Sequence, residues 1–134
     1  MLETRPELTA RLNDDLVGWL TTVTESGQPQ SSVVWFLRDD DDLLVYSKPD
    51  ATKLHNISAN QKVAFNLRTD AVGDSMTTFE GTATVVGSPT PPHRVPAYLA
   101  KYQGQIERLG WTPEQFSDEY AALIRIAINR VRSW

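Results

Sequence analysis

Ser47 and Lys53 are the residues whose types and spacing come nearest to a chemical site. Leu44, Val45 and Tyr46 are good strand formers, and Ser47 closes that run. Pro49 and Asp50 then interrupt it. Asp50 or Thr52 is placed to cap a short helix whose Leu54 and Ile57 share one face at i, i+3 spacing. Lys53 falls in the first turn of that helix. Free backbone N–H groups at a helix start attract anions, and a hydroxyl with an ammonium would complete a phosphate cradle there. A lysine on a short amphipathic helix is also commonly a solvated face. This segment alone leaves both readings open.

The other candidates are weaker. Asp39, Asp40, Asp41 and Asp42 offer the oxygens a hard cation wants. Adjacent residues of a hairpin do not converge on one point, and no spaced glycine or distal glutamate completes a loop, so the run reads as a solvated turn. His55 and His93 have no carboxylate or second ligand near them in sequence, and both read as surface or packing residues. The chain has no cysteine, which excludes disulfides, thiolate metal sites and cysteine nucleophiles. Its 134 residues suit a single domain, 1–134, with a core large enough to fold unaided. A formal charge of -4 argues against general nucleic-acid binding. No apolar run reaches the roughly 18 residues of a membrane span, and the N-terminus has no apolar stretch of signal type. A cytoplasmic protein without a membrane partner is expected.

The elements that must position Ser47 and Lys53 follow from periodicity. Thr4 and Glu7 fit a capping box with Pro6 in the first turn, and Leu8, Leu12 and Leu16 recur at helical spacing. From Val17 the period becomes two, with Trp19, Thr21 and Val23 on one face, up to a turn over residues 25–29. Ser31 to Leu37 reads as one strand with apolar residues on both faces, Val33, Trp35 and Leu37 against Val34 and Phe36. After the short helix come two strands, the second carrying Gly81 and Ala83, small residues that mark a bend or a close backbone approach. A proline-rich linker, 87–92, precedes a helix marked by Tyr98, Tyr102, Ile106 and Leu109. Thr112, Pro113 and Gln115 open a second helix with a capping box. A strand from Ile124 ends the chain. Short turns between strands predict a mainly β, six-stranded antiparallel barrel with peripheral helices.

The order GQPQSSVVWF, LLVYS, a lysine six residues on, then a helix ending NQKVAFNL resembles the pyridoxamine 5'-phosphate oxidase-like split barrels that bind flavin mononucleotide (FMN) or the deazaflavin coenzyme F420. It is most similar to the small actinobacterial F420-dependent branch, and the likeness runs from Val17 to Trp134. The resemblance implies that Ser32, Val33, Val34 and Trp35 edge the flavin or deazaflavin ring. It implies that Tyr46 and Ser47 lie beside the ribityl phosphate, and that Thr52 and Lys53 hold that phosphate. Ser32 and Leu37 stand where the oxidase proper carries an Arg and a Lys, which argues against oxidation of an extra anionic phosphate substrate. With Lys53 the one obvious cation, the phosphate diester of F420 is favoured over FMN, and its tail would leave near Gly27 to Gln30. The family also implies a homodimer with the cofactor at its interface, the outward apolar strand face forming the contact. The activity implied is hydride transfer between F420 and a small organic substrate, the cofactor supplying the chemistry. The other readings are an FMN-binding oxidase-like protein, or a flavin, F420 or tetrapyrrole carrier without turnover.

Overall fold

A computed structural model describes all 134 residues, Met1–Trp134. A short 3-10 turn leads into helix α1, Pro6–Asp14, which lays Leu8 and Leu12 on the core. The capping box expected there does not form. Thr4 Oγ1 donates instead to the Met1 carbonyl at 3.0 Å, and the Glu7 carboxylate is taken by Arg5 Nε at 2.8 Å. Arg5 becomes the uncapped N-cap, and Leu16 lies beyond the helix.

Strand β1, Gly18–Val23, pairs with β2, Pro29–Val34; β3, Leu37–Asp39, forms a hairpin with β4, Asp42–Ser47. Asp40, at φ 55°, makes the tight turn of that hairpin. Helix α2, Thr52–Ala59, is followed by β5, Lys62–Asn66, and β6, Thr77–Val85. Helices α3, Pro96–Arg108, and α4, Pro113–Glu119, precede β7, Ala122–Ser133. Here the capping box does form: Thr112 Oγ1 accepts from the Gln115 amide at 3.1 Å, and Gln115 Oε1 accepts from the Thr112 amide at 2.8 Å.

The sheet has seven strands rather than six, all pairings antiparallel, in the order β2-β1-β5-β6-β7-β4-β3. The extra strand arises because the expected strand over 31–37 is broken at Trp35 and Phe36. β2 and β3 are therefore the two edges of the curled sheet, and they are joined by those two residues. The break is held from α3. The Phe36 amide donates to the Tyr102 hydroxyl at 2.8 Å, that hydroxyl lies 2.8 Å from the Phe36 and Leu16 carbonyls, and Lys101 Nζ donates to the Phe36 and Leu12 carbonyls at 2.9 Å. The Tyr102 hydroxyl, as acceptor for the Phe36 amide, and the Lys101 ammonium, as donor to its carbonyl, thus replace the ladder hydrogen bonds that Phe36 gives up.

Two apolar clusters result. Leu20, Phe36, Val45, Phe65, Phe79, Ile124 and Ile126 fill the curl of the sheet, sealed by Leu8, Leu12 and Ile57. Leu44, Tyr46 and Leu123 face the other way, against Tyr98, Tyr102, Ile106 and Phe116 of α3 and α4. β4 is buried on both faces as a consequence. Each such large side chain contributes about 1.5–3 kcal/mol of transfer free energy. Gly81 sits where β6 shifts register against β7, and a Cβ there would meet the Ala127 carbonyl oxygen at 2.7 Å. The close approach expected of Gly81 is what the sheet requires. No helix is long and apolar enough to cross a membrane.

Candidate functional site

The end of β4 and the start of α2 bring the candidate residues together. After Ser47 the chain turns, the Ala51 amide donating to the Lys48 carbonyl at 3.1 Å. Ala51 is the N-cap of α2, and no side chain caps it. Neither Asp50 nor Thr52 plays the capping part expected of them, so the first-turn amides keep no side-chain acceptor. Lys53 is half-buried beside them and has no ion-pair partner. Burial pulls its ammonium below the usual lysine pKa.

Lys53 stands between two cavities. A polar one of about 220 Å³ is lined by Thr22, Gln30, Ser31, Ser32, Thr52, Lys53 and Asn56. It holds no carboxylate. Asn56, buried on the face of α2 three residues past Lys53, donates to Thr22 Oγ1 at 3.0 Å and Gln30 Oε1 at 2.9 Å. That contact occupies the Gln30 oxygen and leaves its NH₂ group without a protein acceptor. Hydroxyls, an amide, an ammonium and a helix start then converge, which is the donor set a phosphate takes.

The second cavity, about 320 Å³, is mostly aromatic and aliphatic. Val33, Val34 and Trp35 line it from the end of β2, Tyr46 and Ser47 from β4, and Lys48, Ala51 and Lys53 from the turn into α2. Tyr98, Leu109, Phe116 and Tyr120 close the far side. Trp35 lies parallel to Tyr102 at 4.8 Å and to Phe116 at 5.3 Å, so its ring is held by protein neighbours and lends the cavity an edge. The Tyr46 hydroxyl donates to the Thr90 carbonyl at 2.6 Å, and its ring meets Tyr98 edge-on. Ser47 Oγ donates to the Lys48 carbonyl at 3.1 Å. Both hydroxyls are therefore committed to main-chain carbonyls, and both residues line the aromatic cavity rather than the polar one.

Of the residues expected in a site, Ser32 and Thr52 line the polar cavity, Val33, Val34, Trp35, Tyr46 and Ser47 the aromatic one, and Lys53 both. Sequence reasoning gave Gln30 to the exit of the coenzyme tail rather than to the polar cavity, and missed Asn56 and the wall from α3 and α4. The spacing of Asn56 from Lys53 was a usable signal; the wall had none, since its rings also fit an ordinary core. The two histidines lie elsewhere. His55 Nε2 is 3.3 Å from Glu25 on the surface, and His93 Nδ1 is 2.8 Å from Ser117 Oγ. Asp39 and Asp42 both contact Arg125, while Asp41 takes the N-terminus. No group of three or more histidine, cysteine, aspartate or glutamate side chains is arranged to hold a metal.

Residues 4–134 match the protein family described as Pyridoxamine 5'-phosphate oxidase. None of the curated proteins matches the chain. Among solved structures, a conserved hypothetical protein from Mycobacterium tuberculosis is 26% identical, with a TM-score of 0.79 over 97% of this chain and 83% of that one. An F420 reductase is 23% identical, with a TM-score of 0.65 over 92% of this chain and 93% of the other. The heme storage protein HutZ from Vibrio cholerae is 18% identical, with a TM-score of 0.67 over 97% and 92% of the two chains. The last two likenesses concern the fold.

Proposed function

The chain belongs to the pyridoxamine 5'-phosphate oxidase family, and from that premise we propose that it is an oxidoreductase that binds the deazaflavin coenzyme F420. The observation that carries this reading is the pair of adjoining cavities meeting at Lys53, one polar and free of carboxylates, the other lined by rings and aliphatic side chains. Lys53, Thr52, Ser32 and the Gln30 amide would hold the coenzyme phosphate. Val33, Val34, Trp35 and Tyr46 would flank its ring system and keep water from it. When bound, the coenzyme supplies two-electron hydride transfer to or from a small organic substrate. Lys53 is the one charged group of the polar cavity, and a single cation matches a phosphodiester better than the nearly dianionic monoester of FMN.

A second reading has its own support. Neither cavity is lined by an imidazole or a carboxylate that could hand over a proton. That absence suits a protein that binds a flavin-type ligand without turning it over. Assembly bears on both readings. Trp19 and Val33 are cross-strand partners, 48% and 51% exposed, and Val33 also lines the aromatic cavity. A homodimer formed through this β1–β2 face would cover that apolar patch and close the mouth of the site.

Side-by-side titrations of the purified protein with F420 and FMN, followed by ligand fluorescence, test the proposal. F420 should bind the tighter of the two, and the protein loaded with reduced F420 should pass its hydride to a quinone or enone, returning the coenzyme to its oxidised form. Tighter FMN binding, or a protein that arrives yellow from a host lacking the deazaflavin, overturns the coenzyme assignment. Tight F420 binding without turnover leaves the carrier reading in its place.

A further inference from the structure

Lys48 is the charge that phosphate binding leaves unused. It stands exposed in the turn between β4 and α2, has no carboxylate within ion-pair distance, and lines the aromatic cavity. Lys53 turns one side toward the polar cavity beneath β1 and β2. Lys48 leans the other way, its Nζ 5.8 Å from the centroid of the Tyr120 ring at the end of α4. Tyr120 is in turn stacked on Phe116 at 4.6 Å, and both rings line the cavity. The chain carries 17 acidic residues against 13 lysines and arginines, yet none of the 17 lines this cavity.

An ammonium over the edge of an aromatic wall recognises two features at once. The wall takes a flat apolar body, and the ammonium takes an anionic group on that body's rim. The contact gains strength from the absence of a competing carboxylate. Resting on the reading in which Lys53 serves the coenzyme phosphate, we propose that Lys48 with Tyr120 and Phe116 forms a second anion subsite. It selects as substrate a flat conjugated molecule bearing a carboxylate. Lys48 thereby sets the orientation of that substrate, with the carboxylate held at the α4 side, against Tyr120 and Phe116, and the conjugated system turned toward the face where the coenzyme ring would lie.

Calorimetric titration of the full chain with naphthoate and with naphthamide, bodies of the same shape that differ in charge, tests the subsite. Each is titrated with and without saturating coenzyme. Naphthoate should bind about five- to tenfold more tightly than naphthamide, the range expected of one partly solvated charge-assisted contact. Lys48→Gln should abolish that preference, leaving naphthamide and coenzyme affinities unchanged. Lys53→Gln should weaken the coenzyme and keep the preference. Equal affinities in the unaltered protein overturn the subsite, as does a preference that survives Lys48→Gln. So does naphthoate that binds only by displacing the coenzyme. If Lys53→Gln leaves coenzyme binding intact while Lys48→Gln still erases the preference, the phosphate reading fails and the subsite stands.

Discussion

Replacing Lys53 by alanine separates the two things this residue could be. In the folded protein its ammonium is half-buried, has no ion-pair partner and is destabilised by burial. Without ligand, then, Lys53→Ala removes a charge that gains nothing from its surroundings, and thermal stability should hold steady or rise slightly. With ligand the balance reverses. The variant loses one charge-assisted contact to a phosphate, about 1.5–3 kcal/mol. At about 1.4 kcal/mol per decade, that is roughly a ten- to hundredfold loss of coenzyme affinity. The pH profile carries a second signature. Because burial lowers the pKa, coenzyme affinity of the unaltered protein should begin to fall at a lower pH than an ordinary lysine would dictate, and the variant should lack that fall. Fluorescence titration across a pH series reads both. Unchanged affinity in the variant, at any pH, refutes the phosphate cradle and returns Lys53 to a surface role.

Lys101 gives a pH test of the fold itself. Burial draws its pKa down to about 8, so the folded state bears a charged-lysine penalty below that value, and stability should rise as pH passes from about 8 toward the unfolded lysine value. Denaturant titrations should show that rise in the unaltered protein and not in Lys101→Met, which also costs about 1–3 kcal/mol near neutrality by leaving the Leu12 carbonyl without its donor. Gly81→Ala forces a Cβ against the Ala127 carbonyl and should destabilise by about 1–3 kcal/mol in chemical denaturation; a neutral result would mean that β6 and β7 can separate freely there. Trp19→Glu places a charge on the exposed β1–β2 face, and light scattering should show a dimeric mass becoming monomeric; a monomer before substitution removes that face as an interface.

What could be read from the sequence was what neighbours in sequence decide. Thr112 and Gln115 cap α4 because both partners lie within one turn. Gly81 was legible because a missing side chain in an alternating strand points to a bend or to backbone close by. Thr4 and Glu7 have the same spacing as Thr112 and Gln115, yet Arg5 lies between them and takes the glutamate. The strand break at Trp35 and Phe36 was illegible for a different reason. The apolar run from Val33 to Leu37 is unbroken in sequence, and the groups that hold the chain out of the sheet, Tyr102 and Lys101, arrive from α3. The site divides in the same way. Its β4–α2 corner could be proposed from one continuous segment, whereas the aromatic wall depends on where α3 and α4 pack.

The place of β7 in the strand order bears on how the protein is made. β7 lies between β6 and β4, hydrogen-bonded to both, and it is made after the six strands it completes. Until it emerges from the ribosome the strand order can form only as two fragments, β2-β1-β5-β6 and β4-β3, with β4 and β6 each lacking one neighbour. The nascent chain must hold those open strand edges apart from other chains until the final insertion. The far wall of the aromatic cavity and the strand that welds the fragments come from the same stretch after Pro96, so a ribosome that stalls before it leaves a chain with neither a continuous sheet nor a closed aromatic cavity.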